Sequence, residues 1–240
     1  MKKIIILSGI VFFILSVSVS TAQDDGYTEQ KKGNYTEKGY YVDGKKDGVW
    51  IAEQANGFIT KIESYKNGVK QGVFIQFDRK GHVSKQEYYK GGKLNGWAIE
   101  YSNPNKPKSK IKYNNGVING QKILYYDNGR MMEESQYKEG TKTGVSKWYD
   151  QNKKLIAIYQ YENGLFNGIN KNFYANGNVQ KEEHYTDNIL NGEYKEFYQT
   201  GKLKTTGNYK SGEKDGEWIE YDEHGTVKNT TKFVKGVEKK

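Results

Sequence analysis

The sequence contains no cysteine, only two prolines and only three histidines among its 240 residues. Without cysteine the chain has neither disulfides nor thiolate ligands, so packing and backbone hydrogen bonds alone must hold the fold together. Scarce proline is compatible with long hydrogen-bonded strands, because proline cannot donate to a ladder. Scarce histidine leaves few nitrogen ligands for a metal centre. These absences favour a strand-rich protein that needs no metal.

Arginine is nearly absent as well. Arg79 and Arg130 are the only two arginines among 38 basic residues, and the formal net charge is +9. A lysine-rich surface suits solubility better than bidentate recognition of phosphates, so nucleic acid is not an expected partner. A basic stripe that contacts anionic lipid or acidic polymer is the alternative to a merely solvated lysine face.

The first 22 residues have the layout of a secretory signal peptide. Lys2 and Lys3 precede an apolar run over residues 4–19, and the small residues Ser20 and Ala22 follow it. The run is shorter than the roughly 20 residues that span a bilayer, which favours cleavage over an uncleaved anchor. We expect a signal peptide over residues 1–22, cleavage after Ala22, and export to the periplasm, the cell surface or the medium. Loss of the two lysines lowers the formal charge from +9 to +7.

The rest of the chain is one motif repeated with a period of 24 residues. We number the repeat from position 0, which is aromatic in every unit. Position 0 is occupied by Tyr41, Tyr65, Tyr89, Tyr113, Tyr137, Tyr161, Tyr185, Tyr209 and Phe233. Position 7 is glycine in all eight full units, from Gly48 to Gly216. This predicts a lead-in with a half repeat over residues 23–40, eight repeats over 41–232, and a C-terminal half repeat over 233–240.

Two turn signals recur in each repeat. Position 3 is glycine in every unit except one, which has Asn188, and these two residue types adopt a left-handed backbone with the least strain. Preceded by residues such as Asp43 or Asn67, this glycine is the strongest local signal for a type I′ hairpin turn. The structural turn glycines predicted in this way include Gly44, Gly68, Gly116, Gly164 and Gly212. A second turn is predicted at positions 14 to 16, for example at Asn56-Gly57.

Short runs of aromatic and β-branched residues lie between these turns, which indicates strands. No sustained apolar period of 3.6 residues follows residue 22, so helices should be rare. The sequence therefore predicts an all-β fold, an elongated antiparallel β-meander built as a repeat array of β-hairpins with about 17 strands.

The assignment of side chains to the two faces of this sheet requires one irregularity. The first turn places position 0 with positions 5, 7 and 9, whereas the second turn places it with positions 12 and 18. A one-residue bulge at the glycine of position 7 would resolve the conflict. It predicts that positions 0, 10, 12 and 18 share one face and that positions 9 and 13 share the other.

The repeat resembles the MORN-repeat variant, which carries a tyrosine, a turn glycine, a second glycine and an aromatic residue at this kind of period. The segment 209–221, YKSGEKDGEWIEY, shows the pattern, and the resemblance covers residues 33–240. Among bacterial chains the sequence is similar to the YwqK-family antitoxins. The resemblance implies an antitoxin role, or membrane-lipid contact or protein scaffolding as for other MORN repeats. Unit three, with 103–107 as NPNKP, and unit five, with Lys153, depart from it at the second turn.

No catalytic residue, metal site or cofactor is predicted. His82 and His184 lie four units apart, about 40 Å at two strands per unit, and His224 lies in a further unit. No pair has ligand spacing. The acidic segment 209–225 places its acids, such as Glu220 and Asp222, where other units have many residue types. They are therefore expected to be solvated charges.

Aromatic residues supply the predicted partner-binding site. The aromatic residue at position 0 occurs in every unit and is expected to form the core of a thin sheet. The aromatics of positions 9 and 13 occur only in some units, so the fold can do without them. These predicted contact residues are Trp50, Phe74, Tyr126, Tyr174, Tyr194, Tyr198 and Trp218.

The predicted function is that of an exported, non-enzymatic repeat protein that binds another protein, since repeat surfaces bind extended partners through many contacts. The antitoxin or immunity role is what the family resemblance implies within this class. The alternative is binding to envelope polysaccharide or to an anionic membrane surface through aromatic and lysine side chains. A hydrolase is disfavoured because the repeat pattern accounts for its candidate catalysts.

Overall fold

A computed structural model describes residues 24–104 and 106–239. Within these residues the protein is all-β, a single open antiparallel sheet in which each strand pairs with its neighbours in sequence. The predicted fold class is confirmed. The described residues include no helix long and apolar enough to cross a bilayer. The predicted signal peptide lies outside them.

Twenty-one strands make up the sheet. They are β1 (Gly26–Lys32), β2 (Tyr35–Val42), β3 (Lys45–Gln54), β4 (Ile59–Lys66), β5 (Val69–Phe77), β6 (Val83–Lys90), β7 (Lys93–Leu94), β8 (Gly96–Asn103), β9 (Lys106–Asn114), β10 (Val117–Tyr125), β11 (Met131–Lys138), β12 (Thr141–Tyr149), β13 (Leu155–Glu162), β14 (Leu165–Phe166), β15 (Gly168–Phe173), β16 (Val179–Thr186), β17 (Ile189–Phe197), β18 (Leu203–Lys210), β19 (Glu213–Tyr221), β20 (Val227–Val234) and β21 (Val237–Lys239). The number exceeds the predicted 17 because β1 and β21 add one strand at each end and because two strands are interrupted, β7 before β8 and β14 before β15.

The first turn of each repeat has the predicted conformation. Asp43 and Gly44 both have positive φ, 49° and 65°, as a type I′ turn requires, and the other four predicted turn glycines also have positive φ, preceded by a positive-φ residue. Successive first turns are bonded to one another, since the amide of Gly68 donates to the carbonyl of Lys46 at 2.8 Å. The turns therefore form a stacked edge along one side of the sheet.

The bulge near position 7 differs from the predicted one. Tyr40 pairs with Asp47 and Lys38 pairs with Ile51, so Gly39 alone faces the three residues 48–50 of β3. The bulge thus adds two residues and not one. An even number of extra residues leaves the alternation of side chains intact, so the predicted swap of faces at position 7 is wrong.

The one-residue shift lies at the second turn instead. Ala52 pairs with Lys61 but Glu53 pairs with Ile59, which leaves Thr60, at position 19, as the extra residue. Its hydroxyl donates to the carbonyl of Ala52 at 3.0 Å. The conflict of parity that the sequence poses is therefore resolved at position 19.

These registers define two faces. The covered face carries positions 0, 5, 9, 11, 20 and 22, and the open face carries positions 8, 10, 12, 18, 21 and 23. The rings of Tyr41 and Trp50, at positions 0 and 9, lie 5.0 Å apart on the covered face. The prediction that these two positions lie on opposite faces is wrong.

Candidate binding surfaces

Two tryptophans form the core of the covered face. Trp50 and Trp218 are 1% and 5% exposed, and their indole N–H groups donate to the carbonyls of Tyr40 and Asn208 at 3.1 and 3.2 Å. Tyr40 and Asn208 directly follow Gly39 and Gly207, the residues that lie opposite the bulges. A buried tryptophan needs such a partner for its N–H. The position 9 side chain therefore forms a hydrogen bond across the bulge, to the backbone of the neighbouring strand.

A glycine on the preceding strand makes room for each of these tryptophans. A Cβ atom at Gly39 would lie 2.5 Å from the ring of Trp50, and one at Gly207 would lie 2.3 Å from the ring of Trp218. Both distances are shorter than any real Cβ contact. Each tryptophan therefore packs directly against a glycine of the preceding strand, in the same way at the two ends of the array.

Lysines at position 5 lie against the aromatic rings of the covered face. Lys46 Nζ is 4.1 Å from the centre of the Trp50 ring and 5.3 Å from that of Tyr65. Lys214 takes the same place against Trp218 and Phe233, at 4.1 and 5.0 Å. Such cation–π contacts let the aliphatic stem cover the ring while the charge is stabilised by its face. Lysine thus closes the covered face in units one and eight.

Buried carboxylates recur at position 22. The side chain of Glu87 is 7% exposed; it pairs with Lys85 at 2.7 Å and accepts a hydrogen bond from the Tyr89 hydroxyl at 2.9 Å. Glu63 and Glu183 sit in equivalent clusters, each with the lysine two residues before it and the tyrosine two residues after it. Burial, together with the nearby carboxylate, raises the pKa of Tyr89 to about 12. The tyrosines remain neutral donors over the whole physiological pH range.

The tyrosines of position 13 join neighbouring repeats. The hydroxyls of Tyr126, Tyr174 and Tyr198 donate to the position 12 carbonyl of the next unit, at 2.8, 2.8 and 2.7 Å respectively. In three other units an aspartate occupies the position and caps its own turn, as Asp78 does for the amides of Lys80 and His82. The tyrosines and aspartates of position 13 thus have structural partners.

The predicted contact residues are therefore placed differently from the expectation. Trp50, Phe74 and Trp218 are at most 9% exposed, so their assignment to an exposed second face is wrong. Tyr194 is half-buried between Tyr209 and Trp218, with ring centres 5.7 and 5.2 Å away. Burial of position 9 arises because its side chain covers the bulge, a feature that the period alone does not reveal.

A solvent-open groove lies beside Trp148 in the middle of the array. Position 9 holds the small polar residues Ser146 and Asn170 there, and Trp148 stands at position 11. The space beside Trp148 has a volume of about 500 Å³. It is lined by Trp148, Ile156, Ala157, Tyr159, Asn172, Phe173 and Gln180.

The open face has exposed apolar side chains near the N-terminus. Tyr27 and Tyr40 are each 56% exposed with ring centres 5.4 Å apart, and Val49, Val73 and Tyr88 are 54%, 36% and 49% exposed. Val73 pairs directly with Tyr88. We call these five residues the N-terminal apolar patch.

The histidines are dispersed among separate units. His82 lies 3.3 Å from the carboxylate of Asp78 within one turn, and His184 pairs with Ile169 across two strands. Among residues 24–104 and 106–239 no group of three or more potential metal ligands occurs. The structure brings no two of the three histidines together.

Comparison with known proteins locates the repeat in the second half of the chain. No curated protein matches the sequence. The family model of the MORN repeat variant matches five segments, residues 118–139, 142–163, 166–187, 190–211 and 214–235. The starts of these segments are 24 residues apart, as the sequence period requires. Residues 118–235 are thus similar, over five consecutive repeats, to the MORN repeat variant, whose repeats generally bind proteins or membranes.

Proposed function

We propose that the protein is an exported, non-enzymatic scaffold that binds another protein through the open face of its first units. The observation that carries the proposal is the N-terminal apolar patch. Contiguous exposed apolar side chains on a soluble protein mark interaction sites, whereas singly scattered ones are ordinary. The coarser role, a protein- or membrane-binding repeat module, is that of the matched repeats.

The patch has the composition of a protein contact. Tyr27, Tyr40 and Tyr88 supply large rigid rings with a polar end, a residue type enriched at the centre of interfaces. Val49 and Val73 add exposed apolar area on β3 and β5. With a formal charge of +7 on the mature chain, a partner with an apolar centre and an acidic rim is complementary.

The partner class follows from the same reasoning. The resemblance to YwqK-family antitoxins makes a toxin that acts outside the cytoplasm the first partner to test. Cleavage after Ala22 would deliver the chain to that compartment. N-terminal sequencing of the exported protein is expected to start at Gln23, and a start at Met1 would contradict the export proposal.

Affinity capture with the mature chain tests the binding proposal. The variant Val49→Lys/Val73→Lys places two charges in the patch and should reduce partner capture at least tenfold. The matched control, Glu193→Lys/Glu217→Lys, changes position 8 of the two last units and should retain capture, although it alters the charge more. Failure to recover any protein, or equal capture by both variants, would contradict the proposal.

Binding to an anionic surface is the competing outcome. Co-sedimentation with anionic lipid vesicles at low and high salt measures it directly, because lysine adhesion is screened by salt. The scaffold proposal expects sedimentation to vanish at high salt and partner capture to survive. Capture that disappears together with vesicle binding would overturn it.

A further inference from the structure

Strand β9 lies in the longest stretch of the sequence that has no acidic residue. This stretch runs from Glu100 to Asp127, and five lysines lie within it. Four of them alternate along β9, namely Lys106, Lys108, Lys110 and Lys112. In the rest of the chain acids and lysines are interspersed more evenly. Positive charge is therefore concentrated on β9.

The four lysines of β9 have no acidic partner in the part of the chain that the structure describes. None of the ion pairs found in residues 24–104 and 106–239 includes any of them. Lys171 and Lys195, on the open face of later units, each pair with a glutamate. A paired lysine is partly neutralised, whereas an unpaired one attracts a further anion with its full charge. The charge of β9 is open to an anion from outside the chain.

An aromatic ring holds two of these lysines in place on the open face. Lys110 and Lys112 occupy positions 21 and 23, and their Nζ atoms lie 4.3 and 5.8 Å from the centre of a Trp97 ring. Gly120 on the next strand leaves room for the stem of Lys112, because a Cβ atom there would lie 3.1 Å from Lys112 Cδ. Cation–π contact leaves the ammonium N–H groups able to donate to an anion. Ordered stems also lose less side-chain entropy on binding.

These lysines adjoin the N-terminal apolar patch. Tyr88, a member of the patch, lies against Gly96, since a Cβ atom at Gly96 would be 3.4 Å from the Cβ atom of Tyr88. Gly96 directly precedes Trp97, and Trp97 pairs with Lys112 across the two strands. The open face thus changes within unit three from exposed apolar side chains to unpaired lysines. A ligand that contacts both regions needs an apolar part and an acidic part.

We propose that Trp97, Lys110 and Lys112 bind an acidic segment of the protein that docks on the N-terminal apolar patch, an inference that rests on the proposed function. Lysines two residues apart in a strand are separated by about 6.6 Å, the spacing of acidic residues two apart in an extended peptide. The adjoining apolar patch favours a protein over an acidic polysaccharide. The ammonium of Lys110 also covers part of the Trp97 ring against which a sugar would stack.

Fluorescence anisotropy of labelled peptides tests the proposal on the mature chain. The probes are a decapeptide that alternates glutamate with threonine and a counterpart with glutamine in place of glutamate. Lys110→Gln/Lys112→Gln should weaken binding of the acidic peptide about fivefold, the loss of two exposed charge contacts. The matched control Lys228→Gln/Lys232→Gln removes the same charge from β20, the equivalent strand of unit eight, and should weaken binding by no more than about twofold.

Trp97→Leu separates position from charge, because it keeps every lysine but removes the ring. It should weaken binding of the acidic peptide about two- to fivefold. The indole resonance missing from its nitrogen–proton spectrum identifies Trp97, which should shift when the peptide is added to the unaltered chain. The patch variant Val49→Lys/Val73→Lys keeps β9 and should still bind the acidic peptide, so failure of this inference and failure of the scaffold proposal are distinguishable.

Three results would overturn the inference. The first is equal binding of the glutamate and glutamine peptides at low salt. The second is equal weakening by the β9 and β20 lysine variants, which would show general lysine adhesion. The third is binding of a polyuronate or of anionic vesicles in place of the peptide, with the same loss in Lys110→Gln/Lys112→Gln.

Discussion

The first three units and the last two have the same backbone but different open faces. Position 8 holds Val49, Val73 and Trp97 in the first group, and Glu193 and Glu217 in the second. The covered faces at the two ends are nevertheless alike, since Trp50 and Trp218 make the same backbone bond and lie against the same kind of lysine. The covered face and the turns determine the fold, whereas the open face differs between the two groups of units.

The family comparison divides the chain in a similar way. All five matched segments begin at or after residue 118, so the C-terminal units are the ones that the family model recognises. The N-terminal units keep the period and the turns but carry an exposed apolar surface. Specialisation for a partner is therefore expected at the N-terminal end.

The largest effect is expected from truncating the two matched tryptophans. Trp50→Ala and Trp218→Ala should each lower the free energy of unfolding by about 3–5 kcal/mol, because a buried aromatic side chain is lost. Urea unfolding followed by circular dichroism measures this. Val49→Ala, exposed on the neighbouring position, should change stability by no more than about 0.5 kcal/mol. Equal effects of Trp50→Ala and Val49→Ala would show that Trp50 is a surface residue and not core.

Alkaline pH should destabilise both ends of the array. The pKa of Tyr89, Tyr185 and Tyr194 is raised from 10.0 to about 12 in the folded state, in each case by burial first and then by a nearby carboxylate or hydroxyl. Stability from these groups is full below pH 10 and is lost as the pH rises from 10 to 12. Tyrosinate absorbance and circular dichroism, recorded together, should show ionisation delayed beyond pH 10.

The contribution of a carboxylate to the raised tyrosine pKa can be measured separately at Tyr89. Glu87→Gln should lower the pKa of Tyr89 and leave Tyr185, in the other half, unchanged. Residue-specific tyrosine ring shifts against pH give both values from one titration. An unchanged Tyr89 pKa would mean that burial alone raises it.

A smaller effect is expected from the hydroxyls that join the C-terminal units. Tyr198→Phe removes the bond to the carbonyl of Tyr221 and should lower the free energy of unfolding by about 0.5–1.5 kcal/mol. Tyr126→Phe removes the equivalent bond, to the carbonyl of Tyr149, and should lower it by a similar amount. If Tyr198→Phe has no effect in urea unfolding, the junction contributes nothing measurable.

Much of the fold was predictable because each repeat carries the same turn and strand signals. Asp43 and Gly44 predict a type I′ turn by residue type alone, and their φ values confirm it. The spacing of Tyr41 to Phe233 predicts the meander, since only units of equal length keep a register. Local chemistry that recurs every 24 residues can be read without a structure.

The faces were not predictable from this period, because a bulge of one residue and a bulge of two give the same repeat length. The size of the bulge decides whether Trp50 lies on the same face of the sheet as Tyr41 or on the opposite face. A signal was nevertheless present: Gly39 and Gly207 each precede a tryptophan by eleven residues, whereas Glu63 stands eleven residues before Phe74.

The bonds between repeats described above reach only to the next unit, as from the amide of Gly68 to the carbonyl of Lys46. Closing such short loops costs little chain entropy, so folding can begin at any hairpin and spread in both directions. Under a pulling force the same arrangement should yield hairpin by hairpin from the ends. Each repeat should then unfold as a separate step that releases about 24 residues, and the repeats should refold in the same steps when the force is released.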